Sequence, residues 1–166
     1  IKIATKAQSE SQNAEASKIR SLSRHAFWSE FIDYSKTHNG LYASSAGSSD
    51  SWLGKSIKGI PGVNINICIH NSFTRAEVYI NSGEKIENKQ VFDMMLAHKT
   101  ELETEMGEPM IWQRLDEKVT CRICIERRLS YLNPDHKKEI FTFLINTTNR
   151  MMKAFTSYAQ KYVKTR

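Results

Sequence analysis

The residues best suited to chemistry are charged side chains on two segments that alternate like β-strands. Arg75 and Glu77 are two positions apart in TRAEVYI. Arg122 and Glu126 lie on one side of CRICIER. Side chains two apart on a strand point to the same face of a sheet. If the two strands are neighbours, these side chains form an Arg–Glu–Arg network across one sheet face.

This network has two interpretations, which the sequence leaves open. In the first, all four side chains form a structural ion network that fixes the register of the strands. In the second, the cluster is an anion or nucleic-acid site in which Arg75, Arg122 and Lys89 contact phosphate. We favour the structural interpretation, because opposite charges on neighbouring strands pair with each other before they need a ligand.

Two aromatic residues have a similar ambiguity. Trp28 lies in a segment with helical periodicity, and Trp112 lies in the strand-like segment MIWQRL. As core residues, both need only a hydrogen-bond acceptor for the indole N–H. As exposed platforms, they would stack nucleic-acid bases. We expect core positions for both.

A catalytic alternative is a Mg²⁺-dependent nuclease, because the predicted order of elements resembles the restriction-endonuclease-like core. Such sites need an acid on the second strand and Glu-x-Lys on the third. Here the third strand reads Glu77-Val78-Tyr79, and VNINICIH contains no acid. Only Asp50 or Glu126 remains as a second carboxylate. We therefore expect no catalytic site and keep a degenerate nuclease as the alternative.

Other catalytic and metal-binding patterns are missing from the sequence. It contains no Gly-x-Gly-x-x-Gly, no phosphate loop, no His-Glu-x-x-His and no Gly-x-Ser-x-Gly. Cys121 and Cys124 are three apart on a predicted strand, so they point to opposite faces and do not form a zinc site. With Cys68 they make an odd number of thiols, which indicates a reducing, cytoplasmic setting. We expect no metal and no cofactor.

Length and charge narrow the class of protein further. The chain has 166 residues, 40% of them hydrophobic, which suits one domain with its own core. No apolar run reaches the roughly 20 residues that cross a bilayer, so we expect no membrane contact. The net charge of +6 favours DNA or RNA as a partner. Charge alone does not identify the ligand.

Hydrophobic periodicity predicts an α+β fold, with a mainly antiparallel sheet of four to five strands and flanking helices in the order α-β-β-(β)-α-β-β-α. The first helix should begin near Ala14, with Ser21 or Ser23 as a cap. We expect residues 1–18 to be a linker or a trimmed end and residues 19–166 to be a single domain. Because the chain begins at Ile1, we also expect an N-terminal partner domain in the same polypeptide. The remaining predicted elements are a short strand around 52–57 within a Gly- and Ser-rich loop, strands at 63–70, 73–81, 110–115 and 120–128, and helices at 88–106 and from 135 to the C-terminus.

A set of motifs over roughly residues 24–155 resembles a known bacterial family. The motifs are a Phe-Trp helix, an Arg-x-Glu strand, an Asn-Lys-x-x-Phe-Asp helix start, a Glu-x-x-x-Gly helix end, and a Trp strand followed by an Arg-Ile strand. They correspond to Phe27 and Trp28; Arg75 and Glu77; Asn88, Lys89, Phe92 and Asp93; Glu103 and Gly107; Trp112; and Arg122 and Ile123. The family they resemble is designated domain of unknown function 4268. Its members often look like C-terminal parts of larger proteins, some with a nuclease-like or defence-related N-terminal region.

The sequence and the resemblance together lead to one functional expectation. We expect a non-catalytic C-terminal accessory domain of a larger bacterial protein, with DNA or RNA as its ligand. Besides the degenerate nuclease, a structural or dimerisation module is a second alternative. The sequence leaves the oligomeric state open.

Overall fold

A five-stranded sheet and four helices form the structure, a computed structural model that describes residues 5–163. The strand order is β1-β2-β3-β5-β4, and every neighbouring pair is antiparallel. The predicted α+β class and mainly antiparallel sheet are confirmed. The elements in chain order are α1 (Lys6–Lys36), β1 (Trp52–Ser56), β2 (Val63–Ile69), β3 (Thr74–Ile80), α2 (Lys85–Leu96), α3 (Lys99–Met106), β4 (Ile111–Gln113), β5 (Cys121–Arg127) and α4 (Lys137–Tyr162).

One face of the sheet packs against the helices. Alternate strand residues such as Ile65, Val78 and Ile123 are fully buried there and share one core with Phe92 of α2 and Leu144 of α4. Each such side chain contributes about 1.5–3 kcal/mol when it leaves water. Because strand residues alternate between faces, this burial directs the intervening residues to the other side of the sheet.

We call that other side the polar face. Cys68 and Cys124 are buried on it but lie outside the helix-packed core. The strand residues on the polar face are Trp52, Gly54, Ser56, Asn64, Asn66, Cys68, Arg75, Glu77, Tyr79, Ile111, Gln113, Arg122, Cys124 and Glu126.

The first helix is longer than the sequence patterns predicted. It begins at Lys6, where the Thr5 side chain caps the helix and Gln8 completes a capping box. The predicted start near Ala14 and the predicted caps at Ser21 or Ser23 are wrong, because no glycine or proline interrupts the helix before them. Residues 6–18, assigned to a linker, are helical and exposed. Residues 1–4 of that segment and residues 164–166 lie outside the described part of the chain.

The helix predicted at 88–106 is two helices. At the junction, His98 has φ −111° and ψ 25°, and its ring stacks on Tyr162 with 3.8 Å between centroids. The break allows α3 to pack against α4. Between residues 5 and 163, no helix combines the length and the apolar character that crossing a membrane requires.

Candidate functional site

Two arginines flank one carboxylate at the centre of the polar face. The Arg122 Nε lies 2.5 Å from Glu77 Oε2, and the Arg75 Nη1 lies 3.9 Å from the same oxygen. Arg75 also donates from Nε to Glu126 Oε1 at 2.8 Å. The structure therefore brings together the four residues that the strand patterns placed on one face.

Glu77 is the buried member of this group. Only 4% of the residue is exposed, and a buried carboxylate is costly unless cations and hydrogen bonds compensate its charge. The guanidinium groups supply the charge compensation, and the Cys68 Sγ donates to Glu77 Oε1 at 3.2 Å. Burial first, and then the Glu77 carboxylate, raise the pKa of the Cys68 thiol, so Cys68 stays protonated as a donor.

A cavity of about 510 Å³ opens above this group. Trp52 stands at its rim with 49% of the residue exposed, and Tyr79 is half-buried in it. No helix residue of the segment 5–163 contributes to its wall. The lining residues are Ser51, Trp52, Gly62, Asn64, Asn66, Cys68, Arg75, Glu77, Tyr79, Asn81 and Arg122.

Three buried side-chain atoms at this site have no hydrogen-bond partner among the described residues. They are the acceptors Asn66 Oδ1 and Glu77 Oε2 and the donor Arg122 Nε. The last two lie 2.5 Å apart and form an ion pair with each other, so among the three only Asn66 Oδ1 has neither a hydrogen bond nor an ion partner within the described residues. A buried polar group without a partner costs about 1–3 kcal/mol.

Gly54 on β1 leaves space for two side chains that line the cavity. A Cβ atom at this position would lie 2.6 Å from Asn66 Oδ1 and 3.1 Å from the Trp52 Cζ3. Real Cβ contacts are longer than this, so the amide and the indole ring can occupy their positions only above a glycine. The Asn66 side chain is thus held beside Trp52.

Lys89 is not part of this site. It is buried, and its ammonium group donates to three backbone carbonyls, of Arg114 at 2.6 Å, Leu115 at 2.8 Å and Thr120 at 2.8 Å. These bonds tie α2 to the connection between β4 and β5. The structure does not bring Lys89 to Arg75 and Arg122 as the phosphate hypothesis required, because the carbonyls occupy its donors.

The two tryptophans singled out from the sequence lie on the helix side of the sheet. Trp28 is fully buried, and its Nε1 donates to the Asp50 carbonyl at 2.8 Å. Trp112 is half-buried, and its Nε1 donates to Glu103 Oε2 at 3.2 Å. The polar face carries two other aromatic residues, Trp52 and Tyr79, and the sequence analysis did not single out Trp52 as a site residue. Its signal was the alternation of an exposed Trp52 with Leu53, followed by a glycine in the strand.

The nuclease alternative gains no geometric support. Asp50 is exposed and lies outside the lining of the cavity, and Glu126 contacts the group only through Arg75. Within residues 5–163, no cluster of three His, Cys, Asp or Glu side chains has a metal-binding arrangement. Glu77 already lies between two guanidinium groups, which would repel Mg²⁺. In addition, β5 lies between β3 and β4 in the sheet. The strand that follows α2 and α3, which is β4, therefore does not pair with β3.

The comparison with protein families agrees with the resemblance carried by the sequence motifs. The family described as Domain of unknown function (DUF4268) matches residues 23–159. The chain belongs to this family. The match includes all five strands, so the whole polar face lies within the family domain. No curated protein and no solved structure matches the chain.

Proposed function

We propose that this DUF4268 domain is a non-catalytic accessory domain of a larger bacterial protein and that it binds single-stranded DNA or RNA on the polar face. The observation that carries the proposal is the cavity itself. It combines the half-exposed Trp52 and the half-buried Tyr79 with polar side chains of the strands. A sheet face with aromatic residues and polar side chains is a common platform for unpaired bases.

The charge of the site favours bases over phosphate. Arg75 and Arg122 are balanced by Glu77 and Glu126, which they contact. A phosphate group would meet the Glu77 carboxylate, and a cation would meet the two guanidinium groups. A neutral, flat and polar ligand meets neither obstacle. Nucleic-acid bases have this character. The net charge of +6 attracts the phosphate backbone that carries them through long-range electrostatics.

The accessory role and the cellular setting rest on other observations. Members of the family resemble C-terminal parts of larger proteins, some with a nuclease-like or defence-related N-terminal region, which supports an N-terminal partner domain. The three cysteines are free and buried, which supports a reducing cytoplasm. The ion contacts around Glu77 support a site that needs no metal, because both arginines take the place of a bound cation.

Fluorescence anisotropy with labelled strands tests the binding proposal. Single-stranded DNA, single-stranded RNA and duplex DNA of about 10 nucleotides or base pairs should be titrated at about 50 and 200 mM salt. We expect the single strands to bind more tightly than the duplex, with a modest loss of affinity at high salt. No binding tighter than about millimolar would overturn the proposal.

Two substitutions locate the binding surface. Trp52→Ala should weaken single-strand binding about tenfold, because stacking on an aromatic ring contributes that much per base. Ile86→Ala is the matched control, since Ile86 is a large apolar residue on α2 that is 77% exposed. It should leave the affinity unchanged. Equal effects of the two substitutions on affinity would mean that the nucleic-acid strand binds elsewhere on the domain.

A further inference from the structure

We infer that a nucleic-acid strand bound on the polar face continues past Trp52 onto α1, where Arg24 and Arg20 bind its phosphates. This inference rests on the proposed function, since it extends the same binding surface and names the side chains that contact the backbone of the strand. It comes from two arginines near the cavity that pair with no carboxylate among the described residues.

The cavity offers no free cation to a phosphate group. Among the described residues that line it, the cations are Arg75 and Arg122, and both contact carboxylates. In protein–DNA complexes, about half to two-thirds of the hydrogen bonds go to phosphate and sugar. A strand that places its bases in the cavity therefore needs cations on a neighbouring element for its backbone.

The first helix reaches the rim of the cavity through the loop before β1. Ser51 and Trp52 line the cavity. Two residues earlier in the chain, the carbonyl of Ser49 accepts a hydrogen bond from the Arg24 Nε at 2.7 Å. Two residues of chain extend at most about 7 Å, so the Arg24 side chain lies next to the rim.

Arg24 is oriented by this bond, and its outer nitrogens remain available. The residue is half-buried, and the Ser49 carbonyl takes the Nε–H alone. Within residues 5–163, Nη1 and Nη2 of Arg24 donate to no acceptor. The two nitrogens of a guanidinium group can bind two oxygens of one phosphate at once, and an oriented side chain loses less entropy when it does so.

Arg20 extends this surface by one turn of the helix. Residues four apart lie on the same side of an α-helix, with a rise of about 6 Å between them. Arg20 is exposed, and residues 16–29 contain no Asp or Glu. The ion pairs that α1 makes among the described residues are Lys6 with Glu10, Lys36 with Asp33, and Glu30 with Lys137. Unlike Arg75 and Arg122, both arginines of α1 therefore keep their charge for a ligand.

The salt dependence of binding tests the inference. The probe is a labelled oligothymidylate or oligouridylate of about 12 nucleotides, titrated by fluorescence anisotropy at several salt concentrations between about 50 and 200 mM. Arg20→Ala should lower the affinity severalfold at low salt. It should also reduce the slope of log affinity against log salt by about 0.7, which is the contribution of one phosphate contact in a single strand.

Three further variants separate a phosphate contact from other effects. Arg20→Lys keeps the charge and should keep the slope. Trp52→Ala should weaken binding without changing the slope, because stacking releases no counterions. Lys153→Ala is the matched control, since it removes one exposed positive charge from α4, which packs on the opposite face of the sheet. It should leave the slope unchanged, and thermal melts confirm that all variants are folded.

The outcomes separate the inference from the proposed function. Binding of single strands with an unchanged slope in Arg20→Ala refutes the inference and leaves the proposed function standing. An equal loss of slope in Lys153→Ala also refutes it, because the effect would then come from net charge alone. No binding of any strand refutes both.

Discussion

Asn66 lies directly opposite Glu77 in the pairing of β2 with β3, and both are buried residues that line the same cavity. Arg122 and the Cys68 thiol compensate the Glu77 carboxylate, whereas Asn66 Oδ1 has no hydrogen-bond partner among residues 5–163. A fold retains an unpaired buried acceptor at a cost. The relationship makes the stability of the sheet and the properties of the site depend on the same side chains.

Glu77→Gln should destabilise the fold. The substitution keeps the shape of the side chain but removes the negative charge between Arg75 and Arg122. Loss of one partner of a largely buried ion group costs about 2–4 kcal/mol after allowance for the partial exposure of the arginines. Urea unfolding followed by circular dichroism measures it. Glu126→Gln is the matched control and should cost less than about 1 kcal/mol, because this side chain is 36% exposed.

Lys89→Met should destabilise the domain without changing its affinity for single-stranded DNA or RNA. Methionine fills a similar volume but leaves three carbonyls without their donor, which we expect to cost about 2–4 kcal/mol in free energy of unfolding. Lys85→Met, at an exposed position of the same helix, should cost little. If Lys89→Met instead weakened nucleic-acid binding in a folded protein, Lys89 would contact the ligand after all.

Gly54→Ala should weaken ligand binding more than it weakens the fold. The new Cβ atom would displace the Asn66 amide, which is the movable end of a side chain, so the free energy of unfolding should change by less than about 1 kcal/mol. Affinity for single-stranded DNA or RNA should fall severalfold. Gly47→Ala lies on an exposed loop and should change neither quantity. Unchanged affinity in Gly54→Ala would mean that Asn66 does not contact the ligand.

Alkaline pH should destabilise the protein through Cys124. Burial first, and then the Glu126 carboxylate, raise the pKa of this thiol from 9.0 to about 11. A thiol whose pKa is raised by folding keeps its full contribution to stability below the unfolded pKa and loses it as the pH rises toward the folded pKa. Stability should therefore decline between about pH 9 and pH 11. Cys124→Ala should make this decline shallower without removing it, because burial also raises the pKa of the Cys68 thiol. Urea unfolding at about pH 9 and about pH 11 measures the difference, and an identical decline in the variant would assign it to other groups.

Much of the site was predictable because antiparallel strands have a side-chain period of two. Alternation in β3 and β5 placed Arg75, Glu77 and Arg122 on one face before any coordinates were known, since the apolar residues between them had to reach the core. The family motifs pointed to the same strands. The alternation within each strand was enough for this prediction, and no contact between distant parts of the chain had to be known.

The errors have physical causes as well. The environment of Lys89 depends on how the connection between β4 and β5 folds over α2, and no local pattern encodes that contact. The short strand at Trp52 was expected, but the Gly- and Ser-rich loop around it did not indicate a site residue, and the role of Gly54 is visible only in three dimensions. Serine tolerates a helix interior when nothing breaks the helix, which is why Ser21 and Ser23 did not mark its start.

The position of β1 at the edge of the sheet has a dynamic consequence. Within the described residues 5–163, β1 pairs with β2 alone, whereas β3 lies between two strands. Edge strands open locally at a lower free energy than central ones. A transient opening of β1 would carry Trp52 away from Asn66 while the arginines hold Glu77 in place. Amide hydrogen exchange should therefore be faster in β1 than in β3. A bound nucleic-acid strand should slow the exchange most in β1, because β1 is the side from which the ligand enters the cavity.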